Sequence, residues 1–327
     1  MRIEPKKIMC AIDFSEFTDM VLTYGKSLAQ EFDSKLFLCH VTSQTYMVSG
    51  HMPAYVDYTS IETEHIQQSK DRLEKMAETL AFDCEILVSA GHPADQIEKM
   101  AQDHKIDMVI AATHGGSGIK RFLIGSVTDR LMKILACPLL VLHSREHTSN
   151  LSVKEGIKLE RILVGCDFSP DSKLAFDYAL SLAQEFQTHL YLAHVIRSTE
   201  QIELTASDYM KLQEGDYIGW NRSEYLDLQK NISGDKLQKR NTLLTRLEKQ
   251  LLNMVPEDSR NWCTPTTIFL EGQPYTELIK YAAHKEVDMI VLGVRGHSLL
   301  ERFVVGSTTD RVISRASCPV LTVRQST

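Results

Sequence analysis

Apolar residues run along this chain in short continuous blocks, separated by stretches in which they recur at helical spacing. In the first half, Lys7–Ile12 (KIMCAI), Lys35–Val41 (KLFLCHV), Cys84–Ala90 and the run ending at Ala112 have strand length. They are continuous rather than alternating, as strands covered on both faces require. Met20–Phe32, a segment reaching about Leu80, Ile97–Asp103 and the residues after Gly125 carry the helical period, and Leu139–His143 supplies a last strand. The pattern predicts β-α-β-α-β-α-β-α-β, a parallel sheet with helices on both faces.

The second half repeats this order. Arg161–Cys166, His189–Val195, Thr266–Glu271, the run from Met289 to Leu292 and Val320–Arg324 are its strands. Leu174–Phe186, about Lys236 to Met254, Leu278–Lys285 and the residues after Gly306 are its helices. Short words recur in step with the elements. Asp-Phe-Ser stands at Asp13 and Asp167, His-Val at His40 and His194, and Gly-x-Pro at Gly91 and Gly272. Arg-Phe-x-x-Gly-Ser-x-Thr-Asp-Arg occurs at Arg121–Arg130 and Arg302–Arg311, and Cys-Pro at Cys137 and Cys318. Asp13 and Asp167 are 154 residues apart whereas Gly125 and Gly306 are 181 apart, so the second copy carries 27 extra residues between its second and third strands. They fall in a polar insertion at about 197–235. Residues 144–158 are polar and patternless, which places one domain at 1–144, a linker at 145–158 and a second domain at 159–327.

Composition narrows the class. With 43% hydrophobic and 24% charged residues and a formal charge of −7, the chain reads as an ordinary globular protein without the basic stripe of a nucleic-acid binder. The start, Met-Arg-Ile-Glu-Pro, lacks the apolar core of a signal peptide. No apolar run approaches the ~20 residues that span a bilayer, so the expected compartment is the cytoplasm and no membrane partner is expected. The seven cysteines are scattered, mostly within apolar runs and with no C-x2-C, as buried reduced thiols would be.

The chemistry concentrates after the fourth strand of each copy. In the second, Gly293 and Gly296 follow the strand, nine residues intervene, and Gly306-Ser307 opens a helix, giving G-x2-G-x9-G-S. Glycines allow close backbone approach to an anion, and a helix start offers unpaired N–H groups and partial positive charge. Ser307 is expected to act as the N-cap. The first copy reads A-x2-G-x9-G-S, with Ala112 in the place of the first glycine. A methyl group there is an obstacle if the position needs φ > 0 or very close approach, and nearly free if it does not.

Each half resembles a universal stress protein domain, and the whole chain resembles the tandem type with two such domains in one polypeptide. The resemblance rests on Asp after strand one, Gly-x-Pro after strand three and the glycine motif after strand four, in order and doubled. It implies two doubly wound five-stranded parallel sheets of the adenine-nucleotide α-hydrolase-like group, related by a pseudo-two-fold axis. Some members bind ATP and others do not. The implied site in the second half has Asp167 beside adenine and ribose, Val195 near the base, and Gly293, Arg295 and Gly296 along the ribose and phosphates. Gly306, Ser307 and Thr308 would donate to the phosphate tail. The matching first-half positions are Asp13, Val41, Ala112, His114, Gly115, Gly125, Ser126 and Val127. With Ala112 in the first copy, the second is expected to be the better binder. ATP or another adenine nucleotide, with Mg2+ accompanying it, is the expected cofactor, and no protein metal site is expected.

Alternatives stand beside these readings. Asp13 and Asp167 could cap the helices that follow them, and His40 and His194 read as hydrogen-bonded core residues. His114 could simply occupy a loop. Arg121 and Arg302 could pair with acidic residues rather than phosphate. Tyr209, Tyr217, Trp220 and Tyr225 of the insertion could form a lid, a partner surface or an inert segment. The chain has neither G-x4-G-K-S/T nor the Rossmann G-x-G-x-x-G, so a regulatory ATP-binding protein is expected rather than an enzyme. A nucleotide-free scaffold and a slow ATP hydrolase are the competing readings. Universal stress domains commonly pair through their last strands, so Leu139–His143 is expected to meet Val320–Arg324 within the chain. A homodimer of such tandem chains is compatible with that arrangement.

Overall fold

The computed structural model describes residues 3–42, 58–113, 124–143, 156–196, 234–261, 264–296 and 305–325. His114, Gly115, Arg121, Arg302 and the four aromatic residues of the insertion lie outside them. The chain divides into two compact units, Glu4–Ile157 and Lys158–Gln325.

The first unit comprises β1 (Lys7–Ala11), α1 (Thr18–Glu31), β2 (Lys35–Thr42), α2 (Tyr58–Leu80), β3 (Cys84–Ala90), α3 (Pro93–Asp103), β4 (Met108–Ala112), α4 (Ser126–Ile134) and β5 (Leu139–Leu142). The second comprises β6 (Arg161–Gly165), α5 (Pro170–Glu185), β7 (His189–Ile196), α6 (Gly234–Met254), β8 (Thr264–Glu271), α7 (Pro274–His284), β9 (Met289–Gly293), α8 (Ser307–Arg315) and β10 (Val320–Val323). The two sheets are parallel, with orders β3-β2-β1-β4-β5 and β8-β7-β6-β9-β10. This is the doubly wound α/β architecture that the alternation of strand and helix predicts. The continuous apolar runs form the core: Ile8, Met9, Leu36, Val109 and Ile110 are fully buried, as are Ile162, Leu163, Ile290 and Val291. Among the described residues no helix is long and apolar enough to cross a membrane.

Strand order reverses between β1 and β4, and again between β6 and β9. The chain leaves β1 toward β2 on one side, and β4 lies on the other. A crevice therefore opens at the carboxyl ends of these central strands, where doubly wound folds hold ligands. Asp13 and Asp167 stand just past β1 and β6, and Ala112 and Gly293 end β4 and β9. Topology alone brings the two repeated motifs of each half to one place.

The opposite ends of the same strands are fastened by a device that the sequence reading missed. Asp107 Oδ2 accepts the backbone N–H groups of Lys6 and Lys7 at 2.8 and 2.9 Å. In the second copy Asp288 Oδ2 accepts those of Glu160 and Arg161, both at 2.8 Å. The Gly-x-Pro words turn strand into helix. Gly91 has φ +139° and Gly272 φ +137°, which only glycine adopts comfortably. Their N–H groups donate to Thr42 and Ile196, both at 3.0 Å, before Pro93 and Pro274 open α3 and α7.

Candidate functional site

The site is built from three backbone segments at the carboxyl end of each sheet. The first is the Asp-Phe-Ser turn. Asp13 Oδ1 accepts the Ser15 N–H at 2.9 Å, and Asp167 Oδ1 accepts that of Ser169 at 3.0 Å. Between them Phe14 and Phe168 take left-handed backbone, φ 59° and 64°, which is uncommon for an aromatic residue. Both aspartates are exposed, and both shape the turn while remaining accessible to a ligand.

The second segment is the end of β2 and β7. Val41 is buried and Val195 half-buried. Beside them the His40 and His194 rings each sit 2.7 Å, through Nδ1, from the carbonyl oxygens of Ile12 and Cys166. They are hydrogen-bonded as the core reading expects. Burial chiefly holds the His40 imidazole below its ordinary pKa, and the Arg72 guanidinium adds to this; the Ile12 carbonyl bond and the Asp13 carboxylate oppose it. Arg72 lies 4.1 Å over the Phe14 ring, a cation–π contact at the rim of the first site. The Arg-Leu-Glu-Lys word at 72–75, repeated at 246–249, was the signal for this arginine.

The third segment joins β4 to α4 and β9 to α8. Gly306, not Ser307, is the N-cap: its ψ is 138°, its carbonyl accepts the Asp310 N–H at 3.0 Å, and Ser307 is the first helical residue. The same holds for Gly125 and Ser126, with Asp129 N–H donating at 2.9 Å. No side chain caps either helix. Ser126 and Ser307 are exposed, and Val127 and Thr308 half-buried. A glycine cap leaves the first N–H groups unclaimed by its own side chain, the condition for receiving an anion. Each helix start is anchored to the strand end. Gly306 N–H donates to Val294 O at 2.8 Å and Thr309 Oγ1 to Gly293 O at 2.7 Å. Gly125 N–H donates to Thr113 O, and Thr128 Oγ1 to Ala112 O, at 2.6 and 2.8 Å. Thr128 and Thr309 are the threonine shared by the two copies of Gly-Ser-x-Thr, which is the signal for this anchor in the sequence.

The copies diverge at the first motif position. The φ of Gly293 is not left-handed. A Cβ there would instead lie 2.7 Å from the Asp171 carbonyl carbon and the Ser172 nitrogen, so close packing against the start of α5 demands glycine. In the first copy Phe17 and Thr18 occupy the aligned places, and α1 starts only at Thr18. Ala112 sits where the helix start differs, and its methyl meets no requirement for left-handed backbone. Gly296 approaches the aspartate: a Cβ would fall 2.9 Å from Asp167 Oδ2.

Arg295 is held by protein. Its Nε and Nη2 donate to Asp171 at 3.0 and 3.2 Å, its backbone N–H donates to Asp171 Oδ2 at 3.0 Å, and Nη2 also reaches Gln325 O at 3.1 Å. Gln325 N–H donates to Asp171 Oδ1 at 3.0 Å, and Ser169 Oγ to Arg295 O at 3.3 Å. This network locks the exit of β9 to the Asp-Phe-Ser turn. The aligned pair in the first copy is Phe17 and His114, so the lock belongs to the second copy. Among the described residues no group of three or more His, Cys, Asp or Glu side chains could hold a metal ion.

Comparison with known proteins matches the universal stress protein family over residues 4–143 and 158–324. Universal stress protein Rv2005c of Mycobacterium tuberculosis is 22% identical over 99% of both chains. Universal stress protein MJ0531 of Methanocaldococcus jannaschii is 30% identical over 42% of this chain and 81% of its own. The solved universal stress protein of Archaeoglobus fulgidus superposes with a TM-score of 0.64 at 17% identity, over 99% of this chain and 97% of that one. With the repeated motifs, the doubled fold and a match spanning both halves, the chain belongs to the universal stress protein family, in its tandem form.

Proposed function

We propose that this chain binds adenine nucleotides, ATP foremost, and that occupancy regulates rather than drives a reaction, with the second half the better binder. One observation carries the reading. The exposed Asp167 carboxylate, the glycine exit of β9 and the glycine-capped start of α8 meet at the switch point of one sheet. A carboxylate suits ribose or adenine donors, and a helix start suits phosphate. The Asp171–Arg295 network supports the preference for the second site, because a β9 exit already held at Arg295 loses less entropy on binding. An accompanying Mg2+ would take its ligands mainly from phosphate and water. A universal stress protein of solved structure is described in complex with cAMP, so cAMP belongs among the ligands tried.

The test is to denature the purified chain, identify released nucleotide by chromatography and count moles per chain. About one per chain supports a single working site, and about two shows that Ala112 is compatible with binding. Thermal shifts with ATP, ADP, AMP and cAMP follow, since a ligand of the folded state stabilises by RT ln(1 + [L]/Kd). No released nucleotide and no shift in millimolar MgATP would favour the scaffold reading instead. Pairing through the last strands forms part of this proposal, and Leu321→Lys with domain docking intact would refute it.

A further inference from the structure

We propose that His40 and His194 are positioning residues of the two nucleotide sites, each holding the site aspartate in place by gripping both of its chain neighbours. The inference rests on the nucleotide reading above. The preceding neighbour is gripped through its carbonyl. The ladder between β1 and β2 ends with Ile12 N–H donating to Cys39 O at 2.8 Å, and that between β6 and β7 with Cys166 N–H donating to Ala193 O at 2.8 Å. The carbonyls of Ile12 and Cys166 are thus the next acceptors along, and each receives an imidazole at 2.7 Å. Because a carbonyl only accepts, Nδ1 carries the proton.

The following neighbour is gripped through its ring. Phe14 packs on His40 with centroids 4.3 Å apart, and Phe168 on His194 at 5.0 Å, tilted 38° and 37°. Left-handed backbone is disfavoured for phenylalanine and persists where surroundings fix it. That conformation brings the Ser15 and Ser169 N–H groups back onto Oδ1 of Asp13 and Asp167. The causal order runs from imidazole to phenylalanine backbone, to serine N–H, to carboxylate orientation. The arrangement recurs in two stretches that otherwise differ, with Ile12 in one place and Cys166 in the other and with helices that start at different points. A histidine present only to fill the core needs neither bond nor stack. Histidine is the side chain that carries a flat ring and, at its γ branch, an N–H donor.

Two substitutions in the full chain separate the parts. His194→Phe keeps a ring and removes the donor; His194→Asn keeps an N–H near the Nδ1 place and removes the ring. ATP affinity is measured by calorimetry on the Asp13→Ala background, which isolates the second site, alongside the melting temperature. The expected result is a loss of about tenfold for each substitution, equivalent to 1.4 kcal/mol, because His194→Phe releases the Cys166 carbonyl and His194→Asn releases the Phe168 ring. Equal affinity of a folded His194→Phe chain and its background overturns the inference while leaving the nucleotide reading intact. Failure of the wild-type chain to bind any adenine nucleotide overturns both. Nitrogen-15 spectra of the imidazoles give an independent check: the neutral rings should be Nδ1–H tautomers, and Nε2–H tautomers would sink the proposal without reference to any ligand.

Discussion

Replacing Asp171 by alanine should be among the most damaging single changes in the second half. Its carboxylate is 3% exposed and faces an Arg295 side chain that is 15% exposed. Four donors converge on it: Nε and Nη2 of Arg295 and the backbone N–H groups of Arg295 and Gln325. Alanine removes every acceptor and leaves a nearly buried guanidinium with only Gln325 O of that set. Breaking a buried pair from one side costs about 3–5 kcal/mol, mostly as uncompensated charge rather than as the worth of the bond. Arg295→Leu leaves Asp171 with its backbone donors, so it should cost less, and the double variant should cost less than the two singles added. The assay is urea unfolding followed by tryptophan fluorescence, because Trp220 and Trp262 both fall in the second half. With an m-value of about 2 kcal/mol per molar, Asp171→Ala should lower the midpoint by about 1.5–2.5 M. A change below about 0.5 kcal/mol, the range of an ordinary surface substitution, or additive costs in the cycle would refute the reasoning.

Other expectations follow from the same geometry. Gly293→Ala should destabilise the second half by about 1–3 kcal/mol, because its Cβ meets backbone rather than a movable side chain, whereas Ala112→Gly should change thermal stability little. The Cys166 thiol is pushed up to about 12, chiefly by burial and further by the Asp167 charge. The folded pKa lies above the unfolded one, so stability is intact below about pH 9 and falls by about 1.4 kcal/mol per pH unit up to about 12. Cys166→Ala should make that slope shallower in urea titrations at pH 9–10.5, and the native thiol should resist iodoacetamide at pH 8. Asp107→Ala, at the end of β1 away from the site, should cost about 1–3 kcal/mol by orphaning two N–H groups without changing nucleotide stoichiometry.

Much of the fold is legible in the sequence. Apolar blocks of strand length gave the strands within a few residues, and Gly91 and Gly272 announced the turns that require positive φ. The doubled words placed every recurring part. The order of elements, the duplication and the residues gathered at the carboxyl end of each sheet follow from the amino-acid pattern, because periodicity and turn chemistry are local properties of the chain. The folded chain was needed to see that Gly293 is glycine for packing against α5, that Gly306 rather than Ser307 caps α8, and that Arg295 is committed to Asp171. It also revealed the grip of His40 and His194 on the aspartate turns. These depend on which group lies within ~3 Å of a residue that stands 12 positions away for Gly306 and Val294, 28 for the histidines and their carbonyls, and 124 for Arg295 and Asp171, and no local pattern encodes that distance.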